Sequence, residues 1–247
     1  MIQSNTDAIA AWSKMPREAL AAFDPEGDFG RRTMLNPEIF RILGDVRGKR
    51  ILDAGCGQGY LSRMLASRGA LVVGIEPAEA LYRYAIATEE QKHQGIRYVQ
   101  ADLAELPAFD EAFDIVVSNV VFESIPNWIV AVRRCVEVLR PGGLFLWTLE
   151  HPCFEDAEAS WLSAGCVQVR EYLKEYERPG TYAIDYHRPL SSYLNATIAS
   201  GCQIVEVSEP GLDPALATKD HQAAVHVPSF VIVAARRLGS ERDAEAS

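Results

Sequence analysis

The sequence predicts an α/β protein whose mostly parallel sheet is covered by helices on both faces. Three observations predict it. Short apolar runs alternate with helical stretches between residues 50 and 147. Each run is bounded by Gly, Pro, Asp or Asn and is rich in β-branched or aromatic residues. The runs at 71–75 and 115–117 are almost continuously apolar, as strands buried on both sides are.

The runs are 51–55 (ILDAG), 71–76 (LVVGIE), 96–102 (IRYVQAD), 113–119 (FDIVVSN) and 144–150 (LFLWTLE). Helical candidates lie between them at 60–67, 78–91 and 129–139, the last stopped by the breakers Arg140-Pro141-Gly142-Gly143. Strand, helix, strand in repetition implies right-handed crossovers and parallel pairing. Downstream, 191–200 reads as a helix and 201–209 and 229–238 as strands, so the sheet is expected to hold seven. Residues 152–190 interrupt the pattern with Trp161, Tyr172, Tyr176, Tyr182 and Tyr186. An insertion after the fifth strand overhangs the carboxyl ends of the strands, where open α/β sheets bind ligands. Residues 1–40 read as helices with a Pro/Gly-rich break at 24–30, followed by a helix over 37–43. One domain is expected: a helical lid (1–40), a core (41–151), a cap (152–190), a final helix and strands (191–238), and a polar, frayed tail (239–247).

Composition narrows the functional classes. Hydrophobic residues at 48% and charged residues at 23% support a real core and exclude a disordered chain. No apolar run approaches the roughly 18–20 residues of a membrane span. The first twenty residues lack the basic and apolar regions of a signal peptide, so a cytoplasmic protein is expected. The net charge of −10, with no basic run beyond pairs such as Arg133-Arg134, argues against nucleic acid as substrate. Five scattered cysteines form no CxxC pair, which argues against a zinc site or a disulfide framework.

The most informative string is Asp53-Ala54-Gly55-Cys56-Gly57-Gln58-Gly59, placed between a strand and a helix. Its glycines space as GxGxG, not as the GxGxxG of a dinucleotide loop, because Tyr60 stands where the next glycine would fall. The loop also has no Lys or Arg to read a phosphate.

At this point the chain resembles the class I (Rossmann-like) S-adenosylmethionine-dependent methyltransferases. The segment ILDAGCGQGYLSRMLASRGALVVGIEP resembles their first two motifs, and ADLAELP, FDIVVSN and LRPGGLFLW the third to fifth. The likeness covers about residues 48–150, and its specificity lies in the five motifs standing in order. It implies S-adenosylmethionine as cofactor and a role for each matching position. Gly55, Gly57 and Gly59, with Cys56 between them, let the backbone pass the methionine and ribose. Asp53 orients the loop or meets the amino group. Glu76, followed by Pro77, accepts from the ribose hydroxyls, a task suited to a carboxylate. Asp102 faces the adenine amino group with Leu103 beside it, and Asn119 lies near the methionine end. Related chains often fold the N-terminal arm over the cofactor, so Arg32, or equally Arg31, is a candidate partner for the methionine carboxylate.

The catalytic candidates are His151 and Glu123. Pro152 biases His151 toward an extended conformation at the end of the fifth strand, on the acceptor side of the cleft. A neutral imidazole, titrating near about 6.5, can serve as a base there. Glu123 follows the fourth strand, where many small-molecule members carry a histidine, and could bind a polar or cationic acceptor. His187 and Arg188 are further candidates for the pocket wall. The Asn/Asp-Pro-Pro-Tyr signature of nucleic-acid and protein amine methyltransferases is absent, and no metal-binding HxxxH appears. The expected partner is therefore a small-molecule acceptor, methylated on O, N or C, by a monomer or homodimer. The rival readings are a cofactor-binding cyclase or regulatory module that methylates nothing, a nicotinamide oxidoreductase, and a nucleic-acid or protein methyltransferase.

Overall fold

The computed structural model describes residues 4–180 and 182–239. Helices α1 (Asn5–Trp12) and α2 (Arg17–Ala21) lead through a π-helical turn at Arg31–Leu35 into α3 (Asn36–Leu43). The alternating part follows as β1 (Arg50–Ala54), α4 (Tyr60–Ala66), β2 (Leu71–Ile75), α5 (Glu79–Lys92), β3 (Arg97–Val99), β4 (Phe113–Asn119), α6 (Trp128–Glu137) and β5 (Leu139–Glu150). The cap contributes α7 (Ala157–Ala164), β6 (Tyr176–Pro179) and β7 (Ile184–His187). The chain closes with α8 (Leu190–Ala199), β8 (Cys202–Ser208) and β9 (Phe230–Arg237). Of the polar tail expected at 239–247, residues 240–247 lie outside the described residues.

The sheet has seven strands in the order β3-β2-β1-β4-β5-β9-β8. The first five run parallel, and β9 lies antiparallel between β5 and β8. Successive side chains of a strand point to opposite faces, and the apolar runs fill both. Ile51, Val72, Ile115, Val117, Leu144 and Leu146 pack with Ile39, Leu61 and Leu65 on one side. Leu52, Val73, Val116, Phe145, Trp147 and Val233 pack with Val132, Val136 and Tyr193 on the other. This two-sided burial is why these runs are continuous where a half-exposed strand would alternate. Trp147 satisfies its indole N–H on Thr197 Oγ1 of α8 at 3.0 Å. The strand order reverses between β1 and β4, which opens a crevice at their carboxyl ends.

Three details differ from expectation. The helix α6 stops at Glu137, and Arg140-Pro141-Gly142-Gly143 belongs to the start of β5. Leu139 already pairs with Phe113, and a register shift before Leu144 absorbs the exposed Arg140, Pro141 and Gly142 and the buried Gly143 as a bulge. Strand β3 is shorter than 96–102, since only Arg97–Val99 pair with β2. The cap holds a two-stranded hairpin, β6 with β7, whose polar residues and Pro179 carry no strand signal.

Candidate functional site

A cavity with about 1030 Å³ of empty space, its open mouth included, lies over the carboxyl ends of β1, β2 and β4. Its floor is the loop after β1. Gly55 sits at φ 76°, and a Cβ there would stand 2.5 Å from Val121 Cγ1, so the turn and the close approach both require glycine. Val120 also adopts positive φ, at 59°, and faces the cavity. A β-branched residue is strained in that region. Its N–H is held by Thr148, on the carbonyl at 3.1 Å and on Oγ1 at 3.0 Å.

The cavity gathers Gly55, Cys56, Gly57, Glu76, Pro77, Asp102, Leu103 and Asn119 from four separate segments of the cofactor-half prediction. Glu76 is buried at the end of β2 and accepts from the Gly57 N–H at 2.9 Å and the Ala78 N–H at 2.8 Å. Burial pushes its carboxyl up to about 7 despite those two amides, and the Asp53 carboxyl beside it adds to the rise. Asp102 accepts from the Ala104 N–H at 2.9 Å and from Asn5 Nδ2 at 2.8 Å. Asn119 donates to the Tyr60 hydroxyl at 2.5 Å and accepts from Thr148 Oγ1 at 2.7 Å.

Other predicted residues stand elsewhere. Asp53 is buried beneath the loop, where it accepts from Ser62 Oγ at 2.5 Å and does not reach the cavity wall. That contact ties the end of β1 to α4. Gly59, at φ 87°, begins α4 behind the wall. Arg32 turns away and donates to the Gly27 carbonyl at 2.9 Å, while Arg31 lines the cavity, paired with Asp28 and lying 5.2 Å from the Phe23 ring centroid.

The catalytic candidates also lie off the wall. His151 is at the end of β5 as expected, but its ring is taken up: Nε2 meets Glu209 Oε1 at 2.7 Å and Nδ1 accepts from the Cys153 N–H at 3.2 Å. Glu123 is buried in the turn after β4 rather than solvated, with Oε1 accepting from the Glu150 N–H at 3.2 Å. His187 contacts Glu155 Oε1 and the Tyr172 carbonyl, each at 2.9 Å, and stacks on Tyr176 inside the cap. Arg188 is buried against the carbonyls of Phe122 and Ile125 at 3.1 and 3.0 Å. Arg188 ties the cap to the turn after β4, His187 holds the cap to itself, and none of the four residues lines the cavity.

Sequence reasoning expected a lid from residues 1–40 but named none of the apolar residues that form it. Ala8, Ile9, Trp12, Met15, Leu20 and Phe23 close the cavity from α1, α2 and the residues around them. Met15 and Leu20 pack on Ala78 and Leu81 at the start of α5, which seats the lid on the core. Asn5 bridges the mouth, donating to Asp102 and accepting from the Asn127 N–H at 2.9 Å. The Trp12 ring meets Tyr182 of the cap at 6.5 Å. Tyr60 and Gln58 were also passed over. Their signal was position alone, since both stand in or beside the glycine loop.

The residues present fit an adenosyl sulfonium group. The loop has the glycine that close approach demands, Glu76 offers a carboxylate, and the Gln58 amide Nε2 is buried without a partner in the cavity wall.

The family model described as a methyltransferase domain matches residues 52–147. The ubiquinone biosynthesis O-methyltransferase of Coxiella burnetii is 31% identical over 131 residues, covering 51% of this chain and 56% of that protein. Its counterpart in Agrobacterium fabrum is 32% identical over 163 residues, 62% of each. This chain thus spans little more than half the length of the curated relatives it matches. The crystal structure of an S-adenosylmethionine-dependent methyltransferase from Mesorhizobium loti superposes with a TM-score of 0.71 at 31% identity, covering 81% of this chain and 96% of that one. Motif order, sheet order and these likenesses agree: the chain belongs to the class I S-adenosylmethionine-dependent methyltransferase family.

Proposed function

We propose that the protein transfers the methyl group of S-adenosylmethionine to a small-molecule acceptor held between the lid and the cap. One observation carries the reading: Gly55, Gly57, Glu76, Asp102 and Asn119, from four chain segments, converge on one cavity at the topological switch point.

When bound, S-adenosylmethionine supplies an electrophilic methyl group on a positively charged sulfur. Glu76 accepts the Gly57 amide of the loop on Oε2 and the Ala78 amide on Oε1, and would offer its remaining lone pairs to the ribose hydroxyls. Asp102 and Leu103 flank the adenine, and Arg31 meets the methionine carboxylate. Asn119, fixed by Tyr60 and Thr148, and the strained Val120 shape the methionine end. The apolar lid excludes water, so charges inside the cavity interact more strongly than they would in solvent.

Among the described residues, the ionisable side chains on the wall are Arg31, Cys56, Tyr60, Glu76 and Asp102, with no imidazole among them. The rate enhancement then rests on placing the acceptor in line at near-attack distance, a contribution of up to about 7–11 kcal/mol in well-oriented systems. Burial keeps the Cys56 thiol and the Tyr60 hydroxyl protonated at neutral pH.

Calorimetry with S-adenosylhomocysteine and with NAD tests the cofactor, and a turnover screen of small metabolites tests the transfer. S-adenosylhomocysteine is expected to bind and NAD not to. Binding without any methylated product across the screen would favour the cyclase or regulatory reading. No binding of S-adenosylhomocysteine would sink the proposal.

A further inference from the structure

We infer that the side-chain amide of Gln58, held in place by Arg63, donates to the carboxylate at the methionine end of the cofactor. The inference rests on the methyl-transfer reading and deepens it, by naming a residue that reads the charged tail of S-adenosylmethionine.

Gln58 stands between the second and third glycines of the loop after β1 and lines the cavity. The residue is only 4% exposed, and its Nε2 is buried with no hydrogen-bond partner. Buried donors are paired as a rule, and an unpaired one is costly. On a residue of a cavity wall, it marks the place of a missing acceptor.

Neighbouring side chains fix which way the amide faces. Arg63 Nη2 donates to Gln58 Oε1 at 2.6 Å, and Arg63 Nη1 donates to the Gln58 carbonyl at 2.8 Å. A guanidinium has only donors, so the amide oxygen must face it and Nε2 must face away. Arg63 is itself paired with Asp24 of the lid arm, and the second oxygen of Asp24 accepts from the Tyr84 hydroxyl at 2.6 Å. Groups from α4, α5 and the lid arm therefore hold the amide before any ligand arrives.

Chemistry and position together select the carboxylate. An N–H donor needs an acceptor, which excludes the ammonium and the sulfonium of the cofactor. The ribose is assigned to Glu76, and the adenine to Asp102, which the first helix reaches through Asn5. Gln58 is joined instead to the far part of the lid, through Arg63 to Asp24. The residue before Asp24 is Phe23, whose ring centroid lies 5.2 Å from the Arg31 guanidinium. Gln58 and Arg31 thus flank the same two lid residues, at the end of the cavity assigned to methionine. Arg31 shares its charge with Asp28, and a carboxylate has about four lone-pair sites to fill. A second, neutral donor completes the set without adding a buried cation.

The test is calorimetry on the full chain with two ligands that differ in one group: S-adenosylhomocysteine, and its decarboxylated analogue S-adenosyl-3-thiopropylamine. Wild type should bind the first about tenfold or more tighter. Gln58→Glu keeps an oxygen toward Arg63 and replaces the donor with an oxygen that repels a carboxylate. It should weaken S-adenosylhomocysteine about tenfold or more, and leave the analogue within about threefold of wild type. Gln58→Met, of similar length and without a donor, should move the two affinities in the same pattern and serves if the first variant fails to fold. Equal weakening of both ligands overturns the inference, because Gln58 would then act on the loop or the nucleoside. Unchanged affinity for S-adenosylhomocysteine in either folded variant overturns it too. Both results leave the cofactor assignment standing, whereas wild type that binds no S-adenosylhomocysteine strikes at the methyl-transfer reading itself.

Discussion

The two halves of the cleft are built differently. The cofactor half rests mainly on backbone: a glycine turn, strand ends, and a carboxylate fastened to the amides of Gly57 and Ala78, with Asn119–Tyr60 and Asp102–Asn5 as its long-range side-chain contacts. The cap half is made of side chains that meet across long stretches of chain. Ser124 reaches Asp185, His151 reaches Glu209, and Arg188 reaches the carbonyls of Phe122 and Ile125. Local backbone geometry leaves a local signature in sequence, and distant side-chain contacts do not. The first half can therefore be shared by a family while the second is free to change with the acceptor.

The contrast can be broken most forcefully at Gly55. Gly55→Ala places a methyl against Val121 on a backbone at φ 76°, and should abolish measurable S-adenosylhomocysteine binding while lowering stability by about 1–3 kcal/mol. Normal affinity in that variant would falsify the tight turn as the cofactor floor.

On the cap side, the largest effect should be a pH effect. Burial raises Glu123 to about 8 and Glu76 to about 7, above the ordinary 4.5. The native state then keeps protons that the unfolded chain has lost, so both groups cost stability progressively as pH rises from about 4.5 to 8. Glu123→Gln removes its share. The variant should match wild type in thermal unfolding near pH 5 and exceed it above pH 8, by on the order of a few kcal/mol at most. A difference independent of pH would mean that Glu123 is not the buried acid.

Glu76→Ala should weaken S-adenosylhomocysteine binding by about 1–3 kcal/mol, since the loop loses its acceptor and the ribose its carboxylate. Calorimetry showing unchanged affinity would remove Glu76 from the site.

His151→Ala should cost about 1 kcal/mol of stability, the worth of a half-exposed hydrogen bond to a carboxylate, with turnover within about threefold of wild type. A loss of about 100-fold or more in turnover at saturating acceptor would restore His151 as a base and require its ring to leave Glu209.

The strands and their burial on two faces were legible because Leu71 to Ile75 and Ile115 to Val117 carry almost continuous apolar runs, with turn residues beyond them. The residues around the glycine loop were legible because each closes a strand. Arg31 and Arg32 were not separable, since neighbours on a helical turn point roughly a quarter turn apart and sequence does not reveal which way the turn faces. The His151 ring was placed correctly on the sheet edge. Its availability was not readable, because Glu209 stands 58 residues downstream. The hairpin of the cap gave no signal either: Tyr176-Glu177-Arg178-Pro179 is polar, and tertiary contact holds it extended.

The Asn5 bridge has a kinetic consequence. With its amide donating to Asp102 and accepting from Asn127, the first helix straps the mouth at the place assigned to adenine. If Asp102 receives adenine as proposed, adenine displaces Asn5 to reach it, and the strap opens first. Association should then level off at high ligand concentration, at the opening rate of α1, and remain well below the diffusion limit. With adenine on Asp102 the Asn5 contact is already broken, so the opening of α1 would pace capture of the cofactor rather than its release.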